Sequence, residues 1–266
     1  MKGIRYAVTT SHNQSPGLGQ QAREVATQLD CDYIDRGERP LAELFSRWSL
    51  DGVVVVAVNK LSYVGQEGEF FFHPGLAGVR INRLNQGEAD RMVEAMDLHP
   101  GDRVLDCTLG LGTDAIVAGH VVGPTGLVVG LEKSPVMAYL VKTGLSTYNG
   151  TDDSLNTAME RVQAVWGEHL DYLGRLGEKS FDVVYFDPMF RKPRLQSVAL
   201  NPLRALAELD SIQVRAIELA LKVARKRVVL KERRGSAEFA RLGFSSVLGG
   251  KYSPVGYGVI EGHDAT

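Results

Sequence analysis

The stretch that decides the fold is Arg103-Val-Leu-Asp-Cys-Thr-Leu-Gly-Leu-Gly-Thr-Asp-Ala115. Its first residues have the apolar pattern of a buried strand, which ends at the acidic Asp106 and runs into two closely spaced glycines and a helix-like segment. Gly110 and Gly112 allow the backbone to approach a ligand where a side chain would clash. Because open α/β sheets bind ligands at the carboxyl ends of their strands, we predict a cofactor-binding loop here.

Two kinds of cofactor use such a loop. Gly110, Gly112 and Ala115 fit the Gly-x-Gly-x-x-Ala dinucleotide fingerprint, and Glu132 follows about 20 residues later, as that fingerprint requires. In the fingerprint, however, the first glycine follows the strand almost directly, so that the helix amino terminus meets a pyrophosphate. Here further residues intervene, and Asp106 would place a carboxylate beside the diphosphate. The cationic sulfonium and ammonium groups of S-adenosylmethionine (AdoMet) suit this position better, and AdoMet is therefore the predicted cofactor.

Composition narrows the class of protein. The 266 residues are 44% apolar, which is enough for one large domain or two smaller ones. The longest apolar run, 53–58, is far too short to span a membrane, and the amino terminus lacks a secretory leader pattern. The only two cysteines are far apart, which predicts neither a disulfide framework nor a cysteine-rich zinc site. We expect a cytoplasmic protein without a metal or a membrane partner.

Strand and helix patterns alternate along the chain, which predicts an α/β fold. Residues 1–84 are expected to form a small α/β domain, and residues 85–266 a second domain built on a doubly wound sheet. In the first domain we predict strands over 4–10, 31–35, 53–64 and 69–73 and helices over 20–29 and 41–48. In the second we predict helices over 88–98, 135–147 and 203–224, strands over 127–132, 161–166, 181–186 and 227–231, and a closing antiparallel hairpin.

Acidic residues follow three of these predicted strands. Glu132 ends the strand after the glycine loop, where a carboxylate can accept hydrogen bonds from both hydroxyls of a ribose. Glu168 follows the next strand and is placed to accept from an adenine amino group, although a solvated acid is an alternative for this position. Asp187 follows a nearly continuous apolar strand of the kind buried on both faces of a parallel sheet. We therefore expect the three acids to share one sheet edge with Asp106.

The tetrapeptide Asp187-Pro-Met-Phe190 resembles the [Asp/Asn]-Pro-Pro-aromatic signature of methyltransferases that act on planar exocyclic nitrogens, from which Met189 departs at the third position. An amino nitrogen conjugated to a ring has a delocalised lone pair, so it must be oriented by hydrogen-bond acceptors and aimed at the methyl group. Asp187 can accept one N–H, the Pro188 carbonyl can accept the other, and Phe190 can stack on the ring. The alternative is an ordinary tight turn.

Several segments together resemble one family. The order Asp-x-Thr-x-Gly-x-Gly, with an acid ending the next strand, is similar to motif I of class I AdoMet-dependent methyltransferases. Segments 104–115, 132–136, 187–190 and 226–231 resemble the bacterial methyltransferases that modify a guanine N2 in 16S ribosomal RNA near the 3' end, the RsmJ family. The similarity covers roughly residues 80 to 260, and the linker 80–88 is shorter and less basic here than in that family.

The resemblance implies a Rossmann-like class I methyltransferase domain, with a mostly parallel seven-stranded sheet and an antiparallel C-terminal hairpin, after a small N-terminal domain. It implies catalytic roles for Asp187, Pro188 and Phe190. It implies a cofactor-binding set of Asp106, Thr108, Gly110, Gly112, Thr113, Asp114, Glu132, Lys133, Glu168 and Asp187.

Basic residues cluster after two of the strands. They are Arg191, Lys192 and Arg194 after the tetrapeptide, and Lys231, Arg233 and Arg234 after the next strand. Both groups would lie at the same sheet edge, where they can contact phosphates around a flipped base. We therefore expect ribosomal RNA or the small ribosomal subunit as partner and methylation of guanine N2 as the reaction. Methylation of another planar nitrogen (adenine N6, a protein amide or a small heterocycle) and a non-catalytic AdoMet- or RNA-binding module are the alternatives.

Overall fold

The structure is a computed structural model that describes residues 4–12, 15–188, 211–250 and 253–262. The chain divides into two compact units. The first contains the residues up to Phe72 together with Ser134–Leu140, and the second contains His73–Lys133 and most of the chain from Val141 onward. The boundary predicted near residue 84 falls inside a helix of the second unit, Ala77–Asn85, and this boundary stays a prediction.

The first unit contains a four-stranded sheet in the order β1-β2-β3-β4. The strands are β1 Tyr6–Thr10, β2 Gly52–Ala57, β3 Lys60–Gly65 and β4 Gly68–Phe71, and the helices are α1 Leu18–Gln28 and α2 Leu41–Trp48. β1 and β2 are parallel, whereas β3 and β4 pair antiparallel. The single strand predicted over 53–64 is wrong, because the chain reverses between β2 and β3. The strand predicted over 31–35 is also wrong, since this segment makes only an isolated bridge at Tyr33.

The second unit contains a seven-stranded sheet in the order β10-β11-β9-β8-β5-β6-β7. Its parallel strands are β5 Arg103–Asp106, β6 Leu127–Glu132, β7 Val162–Trp166, β8 Phe181–Phe186 and β9 Ala224–Arg233. β10 Ser246–Leu248 and β11 Val255–Glu261 complete the sheet in antiparallel orientation. The predicted doubly wound sheet with an antiparallel C-terminal hairpin is confirmed.

Helices connect the strands in this part of the chain. They are α3 Ala77–Asn85, α4 Arg91–Met96, α5 Thr113–Val122, α6 Pro135–Thr147, α7 Asp153–Glu160, α8 His169–Leu173, α9 Val214–Val223 and α10 Ala237–Arg241. The helix predicted over 88–98 is shorter than expected, because Asp90 caps its start and Asp97 adopts a left-handed conformation at its end. The helix predicted over 203–224 is wrong over 211–213, because Gln213 is extended before α9 begins, and 203–210 lie outside the described residues.

β8 holds the position from which the candidate site is built. All six of its residues are buried, and Phe181, Val184 and Phe186 pack in a core that includes Leu105 and Ile217. Each fully buried large apolar side chain of this kind contributes about 1.5–3 kcal/mol. The charged residue of the strand, Asp182, accepts a hydrogen bond from the Arg103 backbone at 2.8 Å and pairs with Arg225. The strand is therefore buried along its whole length, and Asp182 ties its amino-terminal end to β5 and β9. No helix among the described residues is long and apolar enough to cross a membrane.

Candidate active site

The loop between β5 and α5 has the geometry that its glycines predict. Gly110 and Gly112 both adopt left-handed backbone conformations, with φ of 50° and 77°. Leu109 donates its backbone N–H to Leu131 of β6 at 2.8 Å, and its side chain packs over Gly130, where an added Cβ would lie 2.4 Å from Leu109 Cδ1. The loop is therefore seated directly on the neighbouring strand, and only a glycine at position 130 permits this approach.

Asp106 lies at the centre of this loop and is almost fully buried, with 2% of its surface exposed. Among the described residues, its hydrogen-bond donors are the backbone N–H and the hydroxyl of Thr108, at 2.9 and 3.4 Å. Burial raises the pKa of Asp106 to about 8, and the nearby carboxyl groups of Asp114 and Asp187 add to the rise. A cationic ligand group beside Asp106 would reverse this shift, because an opposite charge favours the ionised carboxylate.

A hydrogen bond joins this loop to the end of β8. The backbone N–H of Asp187 donates to the Thr108 hydroxyl at 2.5 Å, and Thr108 in turn donates to Asp106. Because β5 and β8 are adjacent parallel strands, both residues leave the sheet at the same edge. The predicted cofactor loop and the predicted acceptor site are therefore in direct contact.

The Lys231 side chain bridges two carboxylates at this edge. Its Nζ lies 2.8 Å from Asp114 Oδ2 and 2.7 Å from Asp187 Oδ2, and Tyr185 donates its hydroxyl to Asp114 at 2.7 Å. Burial disfavours the charged form of Lys231, but the two carboxylates outweigh it and hold the lysine pKa above its usual value. Burial raises the pKa of Asp187, Asp114 adds to the rise, and Lys231 opposes it.

Arg80 of α3 completes the network from the other side. Its guanidinium contacts Asp114 Oδ1 at 2.5 Å and donates to both carboxylate oxygens of Asp90 at 2.8 and 2.9 Å. Burial raises the pKa of Asp114, but Lys231 and Arg80 outweigh burial and hold it below its usual range. Asp114 is thus ionised and fully engaged by protein donors. Its predicted contact with the cofactor stays a prediction, and the structure gives it a clear role in supporting Lys231.

The other predicted cofactor residues follow the next strands of the sheet. Glu132 ends β6, and its carbonyl accepts from the Gly167 backbone at 3.0 Å. Lys133 comes next and is exposed. Glu168 caps α8, where its carboxylate accepts from the backbones of Leu170 and Asp171 at 2.7 and 3.2 Å. One Glu168 oxygen is thus occupied by helix capping, and the other lies 3.3 Å from His169 Nδ1. A hydrogen bond from adenine would be made to this second oxygen.

The structure accounts for the remaining predicted residues in part. Thr113 is the first residue of α5, and Pro188 is half-buried after Asp187. Arg233 ends β9, and the exposed Arg234 donates to the Gly250 carbonyl at 3.2 Å. Four predicted residues lie outside the described part of the chain, namely Phe190, Arg191, Lys192 and Arg194.

Comparison with known proteins identifies the family. Residues 72–251 match the family model SAM_MT, described as "Putative SAM-dependent methyltransferase". The chain belongs to this family. It is 40% identical to the Bacillus subtilis protein YpiP over 96% of this chain and 98% of that protein. It is 34% identical to Ribosomal RNA small subunit methyltransferase J of Coxiella burnetii over 56% of this chain, and it spans 58% of that relative's length.

A solved structure shares the fold. The SAM-dependent methyltransferase from Neisseria gonorrhoeae superposes with a TM-score of 0.66 at 17% identity, covering 98% of this chain and 97% of that chain. Family and fold together identify the chain as a SAM-dependent methyltransferase, and AdoMet, predicted from the displaced glycines, is its cofactor.

The residues of this methyltransferase fit that cofactor. Asp106 is a buried acid that only Thr108 satisfies among the described residues, and acids also follow β6 and β7 at the same edge. Bound AdoMet supplies an activated methyl group next to its cationic sulfur. Among the described residues, no group of three or more His, Cys, Asp or Glu side chains is arranged to hold a metal ion.

Sequence reasoning missed Arg80, Asp90 and Tyr185. Arg80 lies in the segment 75–87, where the apolar periodicity fades, and its partner Asp90 lies in the helix predicted over 88–98. Their ion pair joins α3 to the residue that caps α4. Tyr185 stands inside an apolar strand, where it reads as a core residue. The one available signal was that a polar hydroxyl inside a strand buried on both faces needs a partner.

Proposed function

We propose that this methyltransferase transfers the methyl group of AdoMet to the N2 amino group of a guanine in 16S ribosomal RNA. One observation carries the proposal: Asp187 is half-buried at the carboxyl end of β8, held by Thr108 on its backbone and Lys231 on its carboxylate. The relatives named Ribosomal RNA small subunit methyltransferase J support a ribosomal RNA substrate.

In this proposal each group of cofactor-binding residues contacts a different part of AdoMet. Asp106 faces the cationic end of AdoMet, and the loop through Gly110 and Gly112 approaches it closely. Glu132 accepts from the ribose hydroxyls, and the oxygen of Glu168 that does not cap α8 accepts from adenine. Thr113 and Lys133 flank these groups in sequence.

Asp187 and its neighbours serve the acceptor. The Asp187 oxygen that is not bonded to Lys231 accepts one N–H of the guanine amine, the Pro188 carbonyl accepts the other, and Phe190 stacks on the base. Bound AdoMet would supply the activated methyl group, and Asp187 and the Pro188 carbonyl would hold the amine in line with it. The amine's proton would leave to water or Asp187 afterwards. Catalysis then comes mainly from orientation, which can contribute about 7–11 kcal/mol to lowering a barrier.

The test is transfer of a labelled methyl group to 16S ribosomal RNA and small subunits that lack the modification, followed by nucleoside analysis. We expect N2-methylguanosine, and we expect Asp187→Ala to bind AdoMet normally while methylating slowly. Detection of a different methylated nucleoside would show that the acceptor is another planar nitrogen and not guanine N2. Absence of transfer to any RNA, with AdoMet bound, would refute an RNA substrate.

A further inference from the structure

A cavity of about 370 Å³ lies in the second unit beside the Lys231 network. Its walls come from α3, the connection between α3 and α4, and strands β9 and β11. Its volume is within the range of sites that bind small organic molecules. Its charged lining residues are four cations, Arg80, Arg83, Arg91 and Lys231, and two acids, Glu88 and Asp90, and Tyr257 supplies its aromatic surface.

Two of these cations form a fixed wall. Lys231 is held by Asp114 and Asp187, and Arg80 is held by Asp90 and Asp114, so both side chains are ordered before any ligand arrives. Ordered cations bind an anion with a smaller loss of side-chain entropy than mobile ones. The inner end of the cavity is therefore rigid, but its two cations are matched by the carboxyl groups of Asp90, Asp114 and Asp187. The positive charge that can meet a phosphate comes from the two outer arginines.

The other two cations are available to a ligand. Arg83 is 66% exposed, and its contact with Glu88 is long, at 4.0 Å, while Arg91 is 63% exposed and pairs with Glu94 at its own helix surface. Exposed pairs of this kind contribute little, so a phosphate can displace the carboxylates at small cost. Arginine is also suited to phosphate, because its planar guanidinium makes two parallel hydrogen bonds.

The cavity adjoins the proposed acceptor site through one side chain. Lys231 lines the cavity, and its Nζ is 2.7 Å from Asp187, which we propose holds the target amine. Tyr257 pairs with Lys231 across β11 and β9 and brings an aromatic ring to the same cavity. A nucleotide next to the target base could thus receive hydrogen bonds to its phosphate and stack on an aromatic ring in this cavity.

We infer that this cavity binds the sugar–phosphate of a nucleotide adjoining the methylated guanine, with Arg83 and Arg91 contacting the phosphodiester. This inference rests on the proposed function, because the occupant belongs to the RNA substrate. It adds a subsite that neither the basic residues after β8 nor those after β9 provide.

The test is the double variant Arg83→Gln/Arg91→Gln, compared with Arg215→Gln. Arg215 is a matched control, since it is 57% exposed on α9 and pairs with Glu218. The probe is 16S ribosomal RNA that lacks the modification. We expect the double variant to lose about 0.7 unit of log–log salt slope per lost phosphate contact and to raise the KM for RNA on the order of tenfold at low salt. Its AdoMet affinity and its melting temperature should match those of the control.

The outcomes separate this inference from the proposed function. If the wild-type protein methylates the RNA but the double variant keeps its salt slope and KM, the cavity is not an RNA subsite and the proposed function stands. If the double variant loses AdoMet affinity instead, the cavity serves the cofactor and the inference is overturned. If the wild-type protein methylates no RNA, both fail together.

Discussion

Replacing Lys231 with methionine tests whether this lysine controls the protonation of Asp187. The proposed mechanism needs Asp187 as a carboxylate, because only the ionised form accepts an N–H on either oxygen. The titratable groups that interact with it are Lys231, Asp114, Asp106 and Tyr185. Of these, Lys231 alone among the described residues pairs with the Asp187 carboxylate, at 2.7 Å. Methionine keeps the unbranched shape and most of the length of the side chain and removes the charge.

The sign and size of the effect follow from the charges. Burial and Asp114 raise the pKa of Asp187 to about 6 although Lys231 opposes them, so removing the lysine raises that pKa further. An opposite charge at this distance lowers a carboxyl pKa by about 1–3 units. With a shift of about two units, Asp187 at pH 7 would fall from about nine-tenths ionised to about one-tenth ionised. The free-energy equivalent is about 2.7 kcal/mol.

The assay is the rate of RNA methylation at saturating AdoMet and RNA between pH 5.5 and 9. In Lys231→Met the acidic limb of the profile should shift to higher pH. The methylation rate should fall about tenfold at pH 7 and recover toward pH 9. Lys231→Arg is the control: it keeps the charge, so its acidic limb should stay in place even if its maximal rate is lower. An unchanged limb in a folded Lys231→Met protein would refute the reasoning, because the activity would then not depend on the ionisation of Asp187 through Lys231.

Three further predictions concern the cofactor loop and the acceptor site. AdoMet affinity should rise with pH up to about 8, and binding should release a proton, because the cationic cofactor favours the ionised form of Asp106, whose pKa is about 8 without it. Titration calorimetry in buffers of different ionisation enthalpy measures the released proton. A pH dependence that survives in Asp106→Asn would contradict the prediction. Gly130→Ala should cost about 1–3 kcal/mol of unfolding free energy and weaken AdoMet binding, because its Cβ would meet Leu109 at 2.4 Å. Gly177→Ala, where an added Cβ meets nothing within 4 Å, is the control in the same thermal melts, and equal melting temperatures would show that Leu109 moves freely. Asp187→Ala should leave AdoMet affinity nearly intact while lowering kcat, and a parallel loss of both in calorimetry and methylation assays would assign Asp187 to the cofactor instead.

The sequence was sufficient to predict the sheet and its functional edge, because both depend on local patterns. Apolar strands followed by acids or glycines predict where Asp106, Glu132 and Asp187 lie, since the carboxyl ends of parallel strands share one edge. The strand predicted over 53–64 failed for a local reason as well: the turn at Val58 and Asn59 contains neither glycine nor proline, so the apolar run conceals the reversal.

Partner choice between charged residues was not predictable in the same way. The sequence placed Lys231 among basic residues that contact phosphates, since a lysine at a strand end beside arginines is typical of a phosphate-binding surface. The structure shows its ammonium between Asp114 and Asp187, which lie 117 and 44 residues away in the chain. Such a pairing depends on which strands become neighbours in the sheet, and the local spacing of apolar residues does not indicate this.

The register of two strands explains how donor and acceptor come to be aligned. Asp106 of β5 pairs with Tyr185 of β8, so the residues two positions further on, Thr108 and Asp187, leave the sheet at the same height. The hydrogen bond between them, at 2.5 Å, is a direct consequence of that register. Because small misplacements of reacting groups cost large factors in rate, a site that relies on orientation benefits from residues fixed by the central strands of a buried sheet. In this proposal the cofactor loop and the acceptor carboxylate therefore share one rigid support, and Lys231 sets the charge on the carboxylate that the strands have placed.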